Sequence, residues 1–220
     1  MGNIVTIGYS VEGATDARFL NAIIKKTFED VALQCESEID VYDPIPIAKP
    51  LGKSFNEQIK EVAEKAHKSG INILCVHTDA DSDKDENMFS TKINPAFESI
   101  SRFEEKICNN LVAIVPVQMI EAWMLVDKEL LKTEIGTIKS DEDLAINRAP
   151  ESIADPKDTI KSALRIAQEE LPKRRRRIEI GDLYQPLGQK LSIERLQTLP
   201  SYAKFRLAVE TAFRKLNYLH

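Results

Sequence analysis

Five acidic residues stand where a sheet would bring them together. Glu12 follows an apolar segment at residues 4–7, Asp79, Asp81 and Asp83 follow one at residues 71–76, and Glu121 follows one at residues 111–115. If these segments are parallel strands, the carboxylates fall beyond the carboxyl ends, where open α/β sheets place their ligands. In extended chain, side chains two apart point the same way. Asp79 and Asp81 are therefore expected to aim at one point. Clustered carboxylates repel one another unless a proton or cation neutralises them. Hard oxygen ligands select Mg²⁺ or Mn²⁺, and Mg²⁺ commonly takes a few carboxylates plus water and phosphate oxygens. The chemistry this set could do is to hold a divalent cation that also takes water and phosphate oxygens. Asp16 is a further candidate to support it, and Gly13 beside Glu12 allows close backbone approach.

The elements that must position these residues follow from periodicity and stop signals. Residues 3–9 read as a buried strand, and Thr15 as the cap of a helix to about residue 30. Residues 39–47 read as a strand that Pro44 and Pro46 push to a sheet edge. Ser54 caps a helix that Gly70 ends; residues 71–76 form the clearest strand; residues 77–87 are an acidic loop. Pro95 opens a helix to about residue 109, residues 111–115 are a fourth strand, and residues 118–131 are helical. Strands alternating with helices predict an α/β fold, a mostly parallel sheet with flanking helices. After residue 131 the texture changes to a polar connector at 134–154, a helix from Asp155-Pro156 to about 171, and a helical tail at 192–219. The chain is thus expected to divide into a catalytic part, 1–131, and a basic, mainly helical C-terminal extension, 132–220.

Val11-Glu12-Gly13-Ala14-Thr15-Asp16 with Phe19-Leu20 resembles the first motif of Toprim domains, and Asp79-Ala80-Asp81 after an apolar strand resembles their DxD motif. Pro116 with Glu121-Ala122-Trp123-Met124-Leu125-Val126-Asp127 is similar to a segment of a small Toprim-like family of the DUF4276 type. The Asp155-Pro156-Lys157 segment and the 191–205 tail resemble that family's C-terminal part. The resemblance implies a Mg²⁺- or Mn²⁺-dependent phosphodiester hydrolase, a nuclease of the kind linked with overcoming-lysogenization-defect and phage-defence systems. It gives Glu12 a metal-ligand or acid/base role, Asp79 and Asp81 the metal, Glu121 a second metal site, and Asp83 an outer position. It implies nucleic acid as partner, DNA before RNA, and an ABC-type ATPase on another chain, and it leaves room for a homodimer. The nucleophilic Tyr of topoisomerase relatives and the zinc cysteines of primase relatives have no counterpart, which favours hydrolysis. The rival readings are a non-catalytic Toprim-like module that docks on an ATPase or nucleic acid, and a small-molecule phosphate hydrolase or nucleotidyl transferase.

Composition sets the bounds. The 220 residues are 43% hydrophobic and 30% charged, with a mean hydropathy of -0.28, as in an ordinary soluble domain. No run approaches the ~20 apolar residues of a membrane helix, and the first residues lack a secretory leader pattern. Cys35, Cys75 and Cys108 form no CxxC pair, which argues against a disulfide framework and fits a reducing cytoplasm. The net charge of -5 hides an asymmetry: residues 1–170 hold 19 basic and 31 acidic side chains, net -12, and residues 171–220 hold 11 and 4, net +7. A local basic surface attracts phosphate whatever the total. Lys173, Arg174, Arg175, Arg176 and Arg177, with Lys190 and Arg195, are the candidates for nucleic-acid contact, and Tyr184 is the one aromatic near them. Plainer readings stand beside each: Glu12 favouring a helix dipole, the Asp79–Asp83 stretch as a solvated loop, Glu121 on a solvent-facing helix, His77 and Trp123 as core, the arginines as a solvated face.

Overall fold

The computed structural model of the chain describes residues 3–103, 106–169 and 177–219. β1 (Asn3–Val5) and β2 (Ile7–Ser10) are one extended stretch broken at Thr6. Asn72 causes the break: its side-chain oxygen accepts the Thr6 amide at 2.9 Å, and its own amide donates to Thr6 Oγ1 at 3.1 Å. α1 (Ala14–Ala32) follows. Its cap is Gly13 and not Thr15, because the Asp16 carboxylate reaches back to accept the Gly13 amide at 2.8 Å. An acidic group in the first turn also suits the helix dipole. Phe19, Leu20, Ile23, Ile24, Phe28 and Val31 recur at helical spacing and are buried.

β3 (Ile39–Val41) and β4 (Ile45–Pro46) form a second split strand, with β4 at a sheet edge where a missing amide donor is tolerated. α2 (Phe55–Lys68) starts at Ser54, whose amide and hydroxyl both donate to Glu57, and stops before Gly70, which takes φ +69°. β5 (Ile73–His77) is buried throughout, so His77 belongs to the strand. A short α3 (Glu86–Met88) and a π-helical turn at Phe89–Ile93 lead into α4 (Asn94–Ser101). α4 ends well before residue 109, because the chain is drawn back to α2: the Cys108 amide donates to Ala63 O at 3.0 Å. β6 (Leu111–Ile114) completes the strands.

The expected helix over 118–131 is two: α5 (Glu121–Met124) and α6 (Lys128–Ile135). Asp127 divides them by accepting the Leu130 amide at 3.0 Å and capping the second. The connector is mostly irregular, with one 3₁₀ turn at Pro150–Ser152, and buries Leu144, Ile146 and Ile153. α7 (Pro156–Ala167) is capped by Asp155, as expected, and α9 (Ile193–Leu196) and α10 (Pro200–Lys215) form the tail. α8 (Ile180–Lys190) was not expected. Lys26 of α1 caps its end, donating to Gly188 O at 3.2 Å and Leu191 O at 2.9 Å.

All strand pairings are parallel: β4-β2-β5-β6 in one sheet and β1-β3 in another. Alternate residues of the buried strands face opposite layers. Ile73 and Cys75 pack with α1 and the C-terminal helices, and Leu74 and Val76 with α2 and α4. The result is the α/β fold with a parallel sheet, flanking helices and a helical C-terminal part that the sequence pattern predicts. One core cluster draws on both sides of residue 131, from Phe19 and Trp123 to Tyr184 and Phe213. No helix among the described residues is long and apolar enough to cross a membrane.

Candidate functional site

Parallel pairing puts the ends of β2, β5 and β6 on one edge. The loops after β5 and β6 are laced together there: Thr78 N donates to Ile114 O, Ala80 N to Pro116 O, Asp81 N to Gln118 O and Gln118 N to Ser82 O, at 2.8–3.2 Å. Glu12 lies on the loop after β2, and its Oε1 accepts the Thr78 hydroxyl at 2.6 Å. Asp79 follows β5. Its Oδ1 accepts the Ile120 amide at 3.0 Å and stands 3.2 Å from His77 Nε2. The Asp79 carboxyl is held above its usual range, first by burial, with Asp16 and Glu12 adding repulsion against the favourable contact of His77. Glu12, Asp16 and Asp79 are therefore one electrostatic neighbourhood.

The donor chemistry of that neighbourhood fits a divalent cation. Its ligands are hard carboxylate oxygens, and Mg²⁺ needs only one or two with water and phosphate. Two buried polar atoms at the same edge, Ser10 Oγ and His77 Nδ1, have no hydrogen-bond partner among the described residues. The nearest carboxylate to His77 Nδ1 is Asp16 Oδ2 at 4.0 Å, beyond hydrogen-bond reach. Among the described residues no three His, Cys, Asp or Glu side chains converge as a ready-made cation cage.

A family profile described as a domain of unknown function, DUF4276, matches residues 11–204. The chain belongs to the DUF4276 family. No curated protein and no solved structure matches the chain.

In this DUF4276 protein the other expected carboxylates have separate surroundings. Asp81 takes φ +51°, which breaks the extended alternation that would have aligned it with Asp79. Asp81 and Asp83 are exposed on the loop, and Asp83 accepts the Ser82 hydroxyl at 3.2 Å. Glu121 is 2% exposed. Its Oε1 accepts the Tyr184 hydroxyl and pairs with Lys157 Nζ at 3.2 Å. It is a buried tie between α5, α7 and α8, not a solvent-facing helix residue. Tyr184 is not an exposed stacking surface: it is buried, and burial followed by the Glu121 carboxylate pushes its hydroxyl pKa far up.

Of the basic candidates, Lys173, Arg174, Arg175 and Arg176 lie outside the described residues, and Arg177 is exposed. Lys190 pairs with Glu134 at 2.7 Å and Arg195 with Asp127 at 3.7 Å. The cation beside the carboxylates is one the sequence reading missed, Lys49. Its Nζ donates to the His77 carbonyl at 2.8 Å. Burial lowers its pKa, while Glu12, Asp16 and Asp79 support its charge. Its only sequence signal is its place just past the edge strand, since no local period marks it.

Trp123 is core, as expected, with Nε1–H donating to Ser201 Oγ at 2.7 Å. His77 is both buried and in contact with Asp79. Cys75 and Cys108 are buried free thiols, and burial pushes Cys108 up to about 11.

Proposed function

We propose that this protein is a divalent-cation-dependent phosphodiester hydrolase of Toprim-like type. The observation that carries the reading is the pairing of Glu12 and Asp79 at the ends of adjacent parallel strands, with Lys49 held beside them. Glu12 and Asp79 would hold Mg²⁺ or Mn²⁺. Such an ion activates water and offsets phosphate charge. Thr78 orients Glu12, and the Ile120 amide with His77 fixes Asp79. Lys49 supplies positive charge for a phosphate oxygen as charge develops there. Asp81 and Asp83, exposed on the loop after Asp79, would act on such an ion only through water, and Glu121 would keep the α5 turn in register with Asp79.

The substrate is nucleic acid, DNA before RNA, with Arg177 and its preceding basic run as the backbone contact. The setting is the cytoplasm, in a phage-defence role beside an ABC-type ATPase. These last points rest on the resemblance of the Glu12 and Asp79-Ala80-Asp81 motifs.

The test is cleavage of supercoiled plasmid, linear duplex and single-stranded RNA with Mg²⁺ or Mn²⁺. Glu12→Ala and Asp79→Ala are each expected to slow cleavage by about 10²-fold or more. Cleavage that survives both substitutions, or that does not depend on the ion, overturns the proposal. Nucleic acid bound but never cut, with affinity unchanged in both variants, points instead to a non-catalytic binding module.

A further inference from the structure

Among the described residues the four-stranded sheet ends at β6 with no strand on its outer side. Register decides which backbone groups look outward. Leu74 N donates to Asn110 O and Thr78 N to Ile114 O. In a parallel ladder the hydrogen-bonding direction alternates, so Leu111 and Ala113 turn their amides and carbonyls away from β5. A groove of about 580 Å³ lies along that edge, lined by Leu111 and Ala113. One wall is α10, through Leu207 and Thr211, and the other is Phe89 and Phe97. Helices of both layers therefore stand on either side of the place where a fifth strand would lie.

The groove runs past Lys204 and Lys215 of α10. At 1.5 Å per helical residue that is about 16 Å, or about five residues of extended chain. At the Lys204 end sits Asp85, 2% exposed. Its Oδ1 accepts Lys204 Nζ at 2.6 Å, while its buried Oδ2 has no partner among the described residues. A buried carboxylate oxygen left without a donor is costly, and Asp85 with Glu86 outweighs Lys204 in charge. A cationic donor would both satisfy that oxygen and balance the local charge. A second copy of the chain fits poorly, because pairing β6 with β6 would drive two sets of flanking helices together.

We propose that this groove docks an extended peptide segment of a partner protein, which adds a strand to β6 and places a basic side chain against Asp85. Apolar residues of the peptide cover Leu207 and Phe89, and an acidic residue at its far end meets Lys215. Affinity comes from the strand ladder and specificity from the alternate side chains.

The probe is a labelled acetyl-Lys-Val-Thr-Val-Glu-amide peptide and its reverse sequence, titrated into the full chain. One of the two is expected to bind saturably below about 1 mM, and to slow hydrogen exchange at the Leu111 and Ala113 amides. Thr211→Trp and Leu207→Asp, both at exposed positions, are expected to weaken binding about tenfold or more while melting as the wild type does. No saturable binding of either peptide, unchanged exchange at those amides, or binding unaffected by both variants overturns the proposal. So does a wild-type dimer that Thr211→Trp dissociates, since the occupant would then be a second copy.

Discussion

Asp79 sits among groups that on balance oppose its charge. Burial and two neighbouring carboxylates destabilise its charge. Asp79→Asn keeps an oxygen for the Ile120 amide and removes that charge. It is expected to raise Tm in metal-free buffer by a few degrees, on the order of 0.5–2 kcal/mol, while abolishing cleavage. A fall in Tm would make Asp79 a structural residue. Lys49→Met tests the cation: cleavage should drop by about 10²-fold with folding retained, read as a loss in kcat by single-turnover kinetics. Glu12 and Asp79 were legible because each follows an apolar strand at a loop. Lys49 was not, because its role depends on a loop reaching the His77 carbonyl across the sheet edge. The turn at Asp81 was not legible, because alternation assumes extended backbone and a left-handed φ is not written in a DxD spacing.

Between elements, two contacts fix the C-terminal helices to the sheet layer. Glu121→Ala leaves the buried Tyr184 hydroxyl without its acceptor and is expected to cost about 1–3 kcal/mol, measured by urea unfolding. A Cβ at Gly188 of α8 would lie 2.5 Å from the Phe19 carbonyl of α1. Gly188→Ala should therefore destabilise by about 1–3 kcal/mol through forced separation of the two helices; a neutral result would mean that α8 slides without cost. The strands and α2 were legible from solid apolar runs and a Ser–Glu cap. α8 was hidden by Gly181, Pro186 and Gly188, which argue against a helix locally; of the three, Gly188 is required by the close approach of Phe19. The split between α5 and α6 was hidden because Asp127 reads as one polar position in a continuous period until its side chain is seen to cap.

Across the whole molecule, the opposed charges of the two halves meet. Lys204 pairs with Asp85, Arg206 with Asp30, Lys190 with Glu134 and Arg195 with Asp127. Four of the tail's eleven basic residues thus dock it to the acidic body, which a charge count cannot reveal. Lys190→Gln with Arg195→Gln should leave nucleic-acid affinity within about twofold, whereas neutralising Arg174–Arg177 should weaken it and flatten its salt dependence. Equal losses from both sets would place the interface elsewhere.

The central claim is that Glu12 and Asp79 form a divalent-cation site, and a crystal soaked in Mn²⁺ tests it most directly. Anomalous density bridging the two carboxylates, lost in Asp79→Asn, is the predicted result. Mn²⁺ bound only at other residues, or a soaked crystal with no density at this pair, would contradict it.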